Sequence, residues 1–211
     1  MKTAFDDLMK KEELHDDLLP WVSDDMLPMV KHPIVMMFYH HGHASMVNEC
    51  YKQKCLMRDE FLAKNQIRNL IEIVYEKPYR VNALVDYAHK LSDAAYWQTL
   101  ASIWTSTEYI HTNHDIWYEL LNDPRGRRSA MMDKEEKAEF KKLPKDIVIY
   151  RGGSAKGWSW TLDEQVAEWF AKRFDQGLVI HKQIVKKSEI IALLNHRSEH
   201  EIIWIGQHES G

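Results

Sequence analysis

Three short segments in the last third of the chain place polar or charged side chains at the ends of apolar runs. They read DIVIYRGG, GWSWT and HRSEHEIIW. Arginine, hydroxyl groups and paired carboxylates can bind phosphate, orient a ligand and stabilise a developing positive charge. These segments are therefore the first candidates for a binding or catalytic site.

Arg151 ends the first of these runs. Because side chains alternate between the faces of a strand, Arg151 shares a face with Ile147 and Ile149 and points inward at the rim of a sheet. A guanidinium in that position needs an anion, and a core carboxylate would satisfy it without any function. Gly152 and Gly153 follow, and glycine permits a positive φ or a close approach of other atoms to the main chain.

The second segment alternates tryptophan with hydroxyl residues. Trp158 and Trp160 share one strand face, which predicts that they anchor the strand in the core. Ser159 and Thr161 share the other face, where we expect their hydroxyl groups to line a polar site. Thr161 also stands three residues before Glu164, which is the spacing of a capping box at the start of a helix. Ser159 has no such structural explanation.

The third segment carries two carboxylates at the start of a strand. Glu199 and Glu201 are two residues apart, so we expect them to share a face while His200 points away. Neighbouring carboxylates raise each other's proton affinity unless a cation or hydrogen-bond donors intervene. Such pairs are also common on surface strands, so this segment alone is weak support for a site.

The elements before these segments show a helical period. Residues 1–143 carry apolar residues at helical spacing almost throughout. One continuous helix is predicted over residues 44–77, where Pro78 ends it. Asp133 and Glu136 form a capping box that opens a later helix.

The period changes close to residue 146. Short β-branched and aromatic runs alternate with turn residues from there on, which is typical of strands. One helix is predicted among them over residues 162–174, with Val166, Trp169 and Phe170 on its apolar stripe.

The order of the three segments resembles the R-S-E signature of the ADP-ribosyltransferases. An arginine ends a first strand, Ser-x-Thr on a second strand precedes a helix, and Glu-x-Glu enters a late strand. The resemblance covers about residues 147–205 and rests on YRGG, on SWT with VAEWFAKRF behind it, and on EHE. The short spacing from Arg151 to Ser159 is similar to that of small phage-type and bacterial toxin-antitoxin members.

The resemblance implies an α+β fold. A helical region, residues 1–143, would pack on an ADP-ribosyltransferase-like split β-sandwich, residues 144–211, made of two small antiparallel sheets with a cleft between them. No Pro- or Ser-rich linker separates the two regions, so we expect them to form one compact unit.

The resemblance further implies that NAD is consumed, that ADP-ribose is transferred and that nicotinamide is released, with no metal. Glu201 would stabilise positive charge on the ribose, and Glu199 would take a proton from the acceptor. Ser159 would hold Glu201, and Phe174 is a candidate for stacking on nicotinamide, with core packing as the alternative. The predicted NAD-binding residues are Arg151, Gly152, Ser159 and Thr161.

The acceptor is expected to be a macromolecule. In this family Glu-x-Glu favours a protein arginine. The loop PRGRRS could instead contact the phosphates of a nucleic acid through Arg125, Arg127 and Arg128. The same residues would also suit plain NAD hydrolysis, or a module that binds NAD without turnover. The likeness to toxin-antitoxin members allows for an antitoxin or inhibitor as a partner.

Composition limits the remaining classes of protein. The 211 residues have a net charge of −4, which does not suit a bulk polyanion binder. Cys50 and Cys55 are too few for a disulfide scaffold, and no signal peptide or membrane span is apparent, so we expect a reduced cytoplasmic setting without a membrane partner. The histidines of YHHGHAS lack a cysteine or carboxylate at ligand spacing, so no metal site is predicted.

Overall fold

The computed structural model describes residues 13–40, 44–107, 110–173, 179–195 and 198–206. They fall within two compact units, Met1–Lys90 and Leu91–Gly211. The structure combines helices with two antiparallel sheets, so the predicted α+β class is confirmed. None of the helices in the described ranges is long and apolar enough to cross a membrane.

The first unit contains a β-hairpin that the helical prediction for residues 1–143 missed. Its strands are β1 (Met29–His32) and β2 (Val35–Phe38), and its α-helices are α1 (Ala44–Ala63), α2 (Ile67–Asn69) and α3 (Arg80–Tyr87). Shorter 3₁₀ or π turns cover Asp16–Trp21, Leu70–Val74, Lys77–Tyr79 and Ala88–Lys90. Val30 and Val35 are buried, because the two strands turn one apolar face into the unit.

The continuous helix predicted over residues 44–77 is wrong. Helix α1 ends at Ala63, and Asn65 then adopts a left-handed φ of 50°. Asparagine tolerates that conformation better than most residues, and it stops the helical hydrogen-bond ladder. The chain re-enters a helix at Ile67, which is buried.

The second unit holds the remaining helices and a five-stranded sheet. Its α-helices are α4 (Asp93–Ser106), α5 (His114–Leu121), α6 (Lys134–Lys142) and α7 (Glu164–Arg173). Its strands are β3 (Asp146–Gly152), β4 (Ser159–Thr161), β5 (Ile180–Lys186), β6 (Ala192–Leu194) and β7 (Glu201–Ile203). Turns of 3₁₀ helix cover Ile110–Asn113, Arg128–Met131 and Lys187–Glu189. The capping box of Asp133 and Glu136 is confirmed. The predicted change from helix to strand thus lies inside this unit, whereas the units divide at residue 90.

The strands of residues 144–211 form one hydrogen-bonded sheet instead of the two that were predicted. Its order is β5-β3-β4-β7-β6, and all neighbours are antiparallel. Strand β3 pairs with β5 along seven residues, but it meets β4 at one aligned pair, Tyr150 and Thr161. The sheet therefore has two halves, β5–β3 and β4–β7–β6, joined at a single position.

Close packing of α7 explains the glycine that ends β3. A Cβ at Gly152 would lie 2.5 Å from the main-chain nitrogen of Ala171 and closer still to the carbonyl of Ala167. The helix consequently turns its small residues to the sheet, and Ala167 and Ala171 are buried. Trp169, which was predicted on the apolar stripe, is instead 54% exposed.

Candidate active site

The candidate residues meet where β3 and β4 separate. Beyond the Tyr150–Thr161 pair, β3 continues to Gly152 alongside β5, and β4 starts at Ser159 alongside β7. The alternation predicted for β3 is confirmed, since Ile147 and Ile149 are buried on the face that Arg151 shares.

The Arg151 side chain bridges the gap between the two strands. Its Nε donates to the carbonyl of Ser154 at 2.7 Å, and its Nη1 donates to the carbonyl of Ser159. Gly157 lies against the guanidinium, because a Cβ there would be 2.5 Å from Arg151 Cζ. The 154–159 segment is thus wrapped around the arginine, whose remaining N–H groups are the ones that could face an anion.

The charge of Arg151 sits in a partly buried environment. Burial lowers the pKa of its guanidinium, and the negative charge of Glu201 acts in the opposite direction. Arginine nevertheless stays protonated at neutral pH. The site therefore combines a fixed cation with a nearby carboxylate.

Glu201 accepts two hydrogen bonds on the same oxygen. Thr161 pairs with Glu201 across the sheet, so Ser159 is its diagonal neighbour on that face. Ser159 Oγ donates to Glu201 Oε1 at 2.5 Å, as predicted, and Trp104 Nε1 donates to the same oxygen at 3.0 Å. The carboxylate is consequently held from β4 on one side and from helix α4 on the other.

Trp104 is the residue that sequence reasoning missed. It lies in the region for which the sequence predicts only apolar residues at helical spacing, and it is buried, with 3% of its surface exposed. A buried indole N–H needs an acceptor, but the sequence does not say which one. The partner is 97 positions further along the chain, and tertiary structure alone brings the two together.

Thr161 is a tether and not a helix cap. Its buried hydroxyl donates to the carbonyl of Glu199 at 2.6 Å and accepts from the main-chain nitrogen of Asp163 at 3.0 Å. The capping prediction for Thr161 is therefore wrong. Asp163 accepts from Gln165 N at 2.8 Å with its carboxylate, and α7 begins at the next residue, Glu164.

Strand alternation does not extend from Glu201 back to Glu199. Ser198 and His200 have left-handed φ angles of 56° and 43°, so the chain is not extended there. The prediction that strand alternation places Glu199 and Glu201 on one face is therefore wrong. Glu199 lies in a bend before β7 and is half-buried, and its carboxylate makes no hydrogen bond to the described part of the chain. The ring of His200 is held by Glu139 of α6, with 2.8 Å between Nδ1 and Oε1.

The arginine-rich loop is partly used within the fold. The Arg125 guanidinium lies 3.8 Å from the ring centre of Tyr96, and its Nε donates to Asp123 at 2.9 Å. Arg127 and Arg128 are exposed. Arg125 therefore has a structural role, and the other two arginines are the more accessible ones for an acceptor.

Two further predictions, for Phe174 and for the YHHGHAS histidines, involve residues that the structure does not describe. Phe174, His41 and His43 lie outside the described residues. Within the described ranges, no group of three or more His, Cys, Asp or Glu side chains could hold a metal ion.

Comparison of the chain with protein-family models, curated proteins and solved structures found no match.

Proposed function

We propose that this protein is an NAD-dependent mono-ADP-ribosyltransferase, which transfers ADP-ribose to a macromolecular acceptor and releases nicotinamide. The observation that carries the proposal is the convergence of Arg151, Ser159 and Glu201. They come from three strands and lie up to 50 positions apart, yet Arg151 Nη1 donates to the Ser159 carbonyl and Ser159 Oγ donates to the Glu201 carboxylate. Three of the residues that suggested the R-S-E signature are thus linked in one cluster.

The chemistry of the cluster suits cleavage of a ribose–nicotinamide bond. Breaking that bond develops positive charge on the ribose, as in other oxocarbenium-like transition states. Glu201 supplies a carboxylate that is already oriented, so little reorganisation is needed when the charge develops. Arg151 supplies a cation for the pyrophosphate of NAD, in addition to its contacts with main-chain carbonyls.

The opening of the sheet supports the finer part of the proposal, an ADP-ribosyltransferase-like arrangement. The halves β5–β3 and β4–β7–β6 are linked by one residue pair. Arg151 ends a strand in the first half, while Ser159 and Glu201 lie in the second. A dinucleotide bound at the point of separation would contact both halves.

The proposed acceptor is a protein arginine, and Glu199 is the proposed base. It lies in the bend before β7, half-buried and without a hydrogen bond to the described residues. A carboxylate in that position can reach an acceptor that approaches from solvent. A protonated arginine needs a base beside it before it can attack.

NAD labelled in the adenylate moiety, incubated with the protein and a bacterial lysate, tests the proposal. We expect nicotinamide release together with label in material that protease, and not nuclease, degrades. Glu201→Gln should lose both signals, whereas Glu189→Gln, at an exposed glutamate outside the cluster, should keep both.

The outcomes separate the competing functions. Label that nuclease removes would identify a nucleic-acid acceptor. Nicotinamide release without label in any macromolecule would indicate NAD hydrolysis. No release under any condition, with NAD binding retained, would indicate a module that binds without turnover and would contradict the proposed function.

A further inference from the structure

Trp104 is the second hydrogen-bond donor to the proposed catalytic carboxylate. Its indole N–H and the Ser159 hydroxyl converge on one oxygen, Glu201 Oε1, from different elements. Two donors on one oxygen restrict rotation of the carboxylate more than one donor does. Hydrogen bonds to an ionised acceptor are also stronger than neutral ones.

Helix α5 packs against Trp104 and against Trp158, the residue before Ser159. Trp117 packs edge-on against Trp104, with 5.3 Å between ring centres and an interplanar angle of 89°. One turn away, His114 lies 4.2 Å from the ring centre of Trp158, the residue before Ser159. Tyr118 packs near the same tryptophan, with 6.2 Å between the two ring centres. Because Trp104 is buried and packs against Trp117, its indole has little freedom to turn away from Glu201.

We propose that Trp104 is a positioning residue of the active site, whose indole N–H fixes the orientation of the Glu201 carboxylate. The reaction to which this orientation matters rests on the proposed function. The contact itself does not, and it can be tested separately. The helical region would then contribute to the catalytic site, although the signature segments all lie after residue 144.

The same helix offers a matched control. Trp97 is also buried in α4, and its indole N–H also makes a single hydrogen bond, to the carbonyl of Gly126 at 2.8 Å. It is seven residues before Trp104, about 10 Å along the helix axis. Replacement of either tryptophan by phenylalanine removes one indole donor from the same helix.

The contact is tested by the indole ¹H–¹⁵N NMR signals as the pH is lowered through the titration of Glu201. We expect the signal that is lost in Trp104→Phe to move with the carboxylate in the wild type and to stay constant in Glu201→Gln. The signal that is lost in Trp97→Phe should not follow Glu201. Arg151, whose charge interacts with that of Glu201, is present in all of these proteins, so it does not distinguish them. A Trp104 indole signal whose chemical shift does not change when Glu201 ionises would overturn the inference.

The functional consequence is measured by nicotinamide release. Loss of a hydrogen bond to a charged group should lower kcat about 10- to 100-fold in Trp104→Phe, with KM for NAD changed by less than about 3-fold. Trp97→Phe should keep wild-type kcat, and thermal unfolding of both variants checks that they fold. Equal kcat in both variants would overturn a positioning role. If the wild type releases no nicotinamide, the proposed function fails, and the NMR titration alone decides whether Trp104 holds Glu201.

Discussion

The two halves of the five-stranded sheet position their residues by different means. In the β5–β3 half, seven aligned pairs form a regular ladder, and Arg151 is placed by its register opposite His181. In the β4–β7–β6 half, each strand has three residues, and side-chain hydrogen bonds supplement the ladder. Ser159 binds Glu201, Thr161 binds the carbonyl of Glu199, and Trp104 reaches in from α4.

The difference indicates which changes each half tolerates. A long ladder keeps its geometry when one side chain is altered, because main-chain hydrogen bonds carry the register. Short strands depend on the polar contacts around them, and a buried polar group that loses its partner destabilises the structure. We therefore expect function and stability to respond differently to substitutions in the two halves.

The largest effect should come from the carboxylates of the short-stranded half. Glu201→Gln should lower both ADP-ribose transfer and NAD hydrolysis by ~100-fold or more, because electrostatic stabilisation of the ribose is lost. Glu199→Gln should lower transfer to a similar extent, yet keep measurable NAD hydrolysis. Water can attack the ribose with little help from a base, whereas a protonated arginine must first lose a proton. Nicotinamide release and label incorporation are measured in parallel. Equal loss of both activities in Glu199→Gln would mean that Glu199 holds the donor or the fold.

In the long-stranded half, Arg151→Ala should mainly weaken NAD binding. A phosphate contact is present in the ground state and the transition state alike, so KM should rise about 10- to 100-fold while kcat changes less. Steady-state kinetics with NAD as the varied substrate measures both constants. A fall in kcat with unchanged KM would assign Arg151 to the reacting centre instead of the pyrophosphate.

A smaller effect should follow from crowding Arg151 without removing it. Gly157→Ala places a methyl group against the guanidinium, which can move away only by weakening its hydrogen bonds to the carbonyls of Ser154 and Ser159. We therefore expect a cost of about 1 kcal/mol of unfolding free energy, measured with urea. The matched control is Gly126→Ala, since a Cβ there has its nearest neighbour at 3.3 Å, an oxygen of the Asp93 side chain. If both variants unfold at the same urea concentration, the packing of Gly157 on Arg151 is not a constraint.

The smallest expected effect concerns the tether at Thr161. Thr161→Val removes the hydroxyl that joins Glu199 to Asp163 and should cost about 1 kcal/mol, since the shape of the side chain is kept. Thr161→Ser restores the hydroxyl and should recover most of the loss. The same urea titration measures both, and a Thr161→Val protein as stable as the wild type would show that the β7 bend is held by other contacts.

Local patterns predicted the residues whose structure depends on their near neighbours. The capping box at Asp133 and the alternation of Ile147, Ile149 and Arg151 along β3 are confirmed. The same reasoning failed where a residue other than glycine took a left-handed conformation. Asn65 divided a predicted helix, and His200 ended the alternation between Glu199 and Glu201.

The types and order of Arg151, Ser159, Thr161 and Glu201 along the chain suggested the candidate site, whose function stays a prediction. Its assembly depended on tertiary structure, because the partners are far apart in the chain. Trp104 is 97 residues from Glu201, and Gly152 owes its lack of a side chain to the approach of α7. Tertiary structure also determines that β3 and β4 are joined only by the Tyr150–Thr161 pair. Propensity and periodicity describe interactions within a few residues, whereas long-range packing and the need of each buried donor for an acceptor decide which distant groups meet.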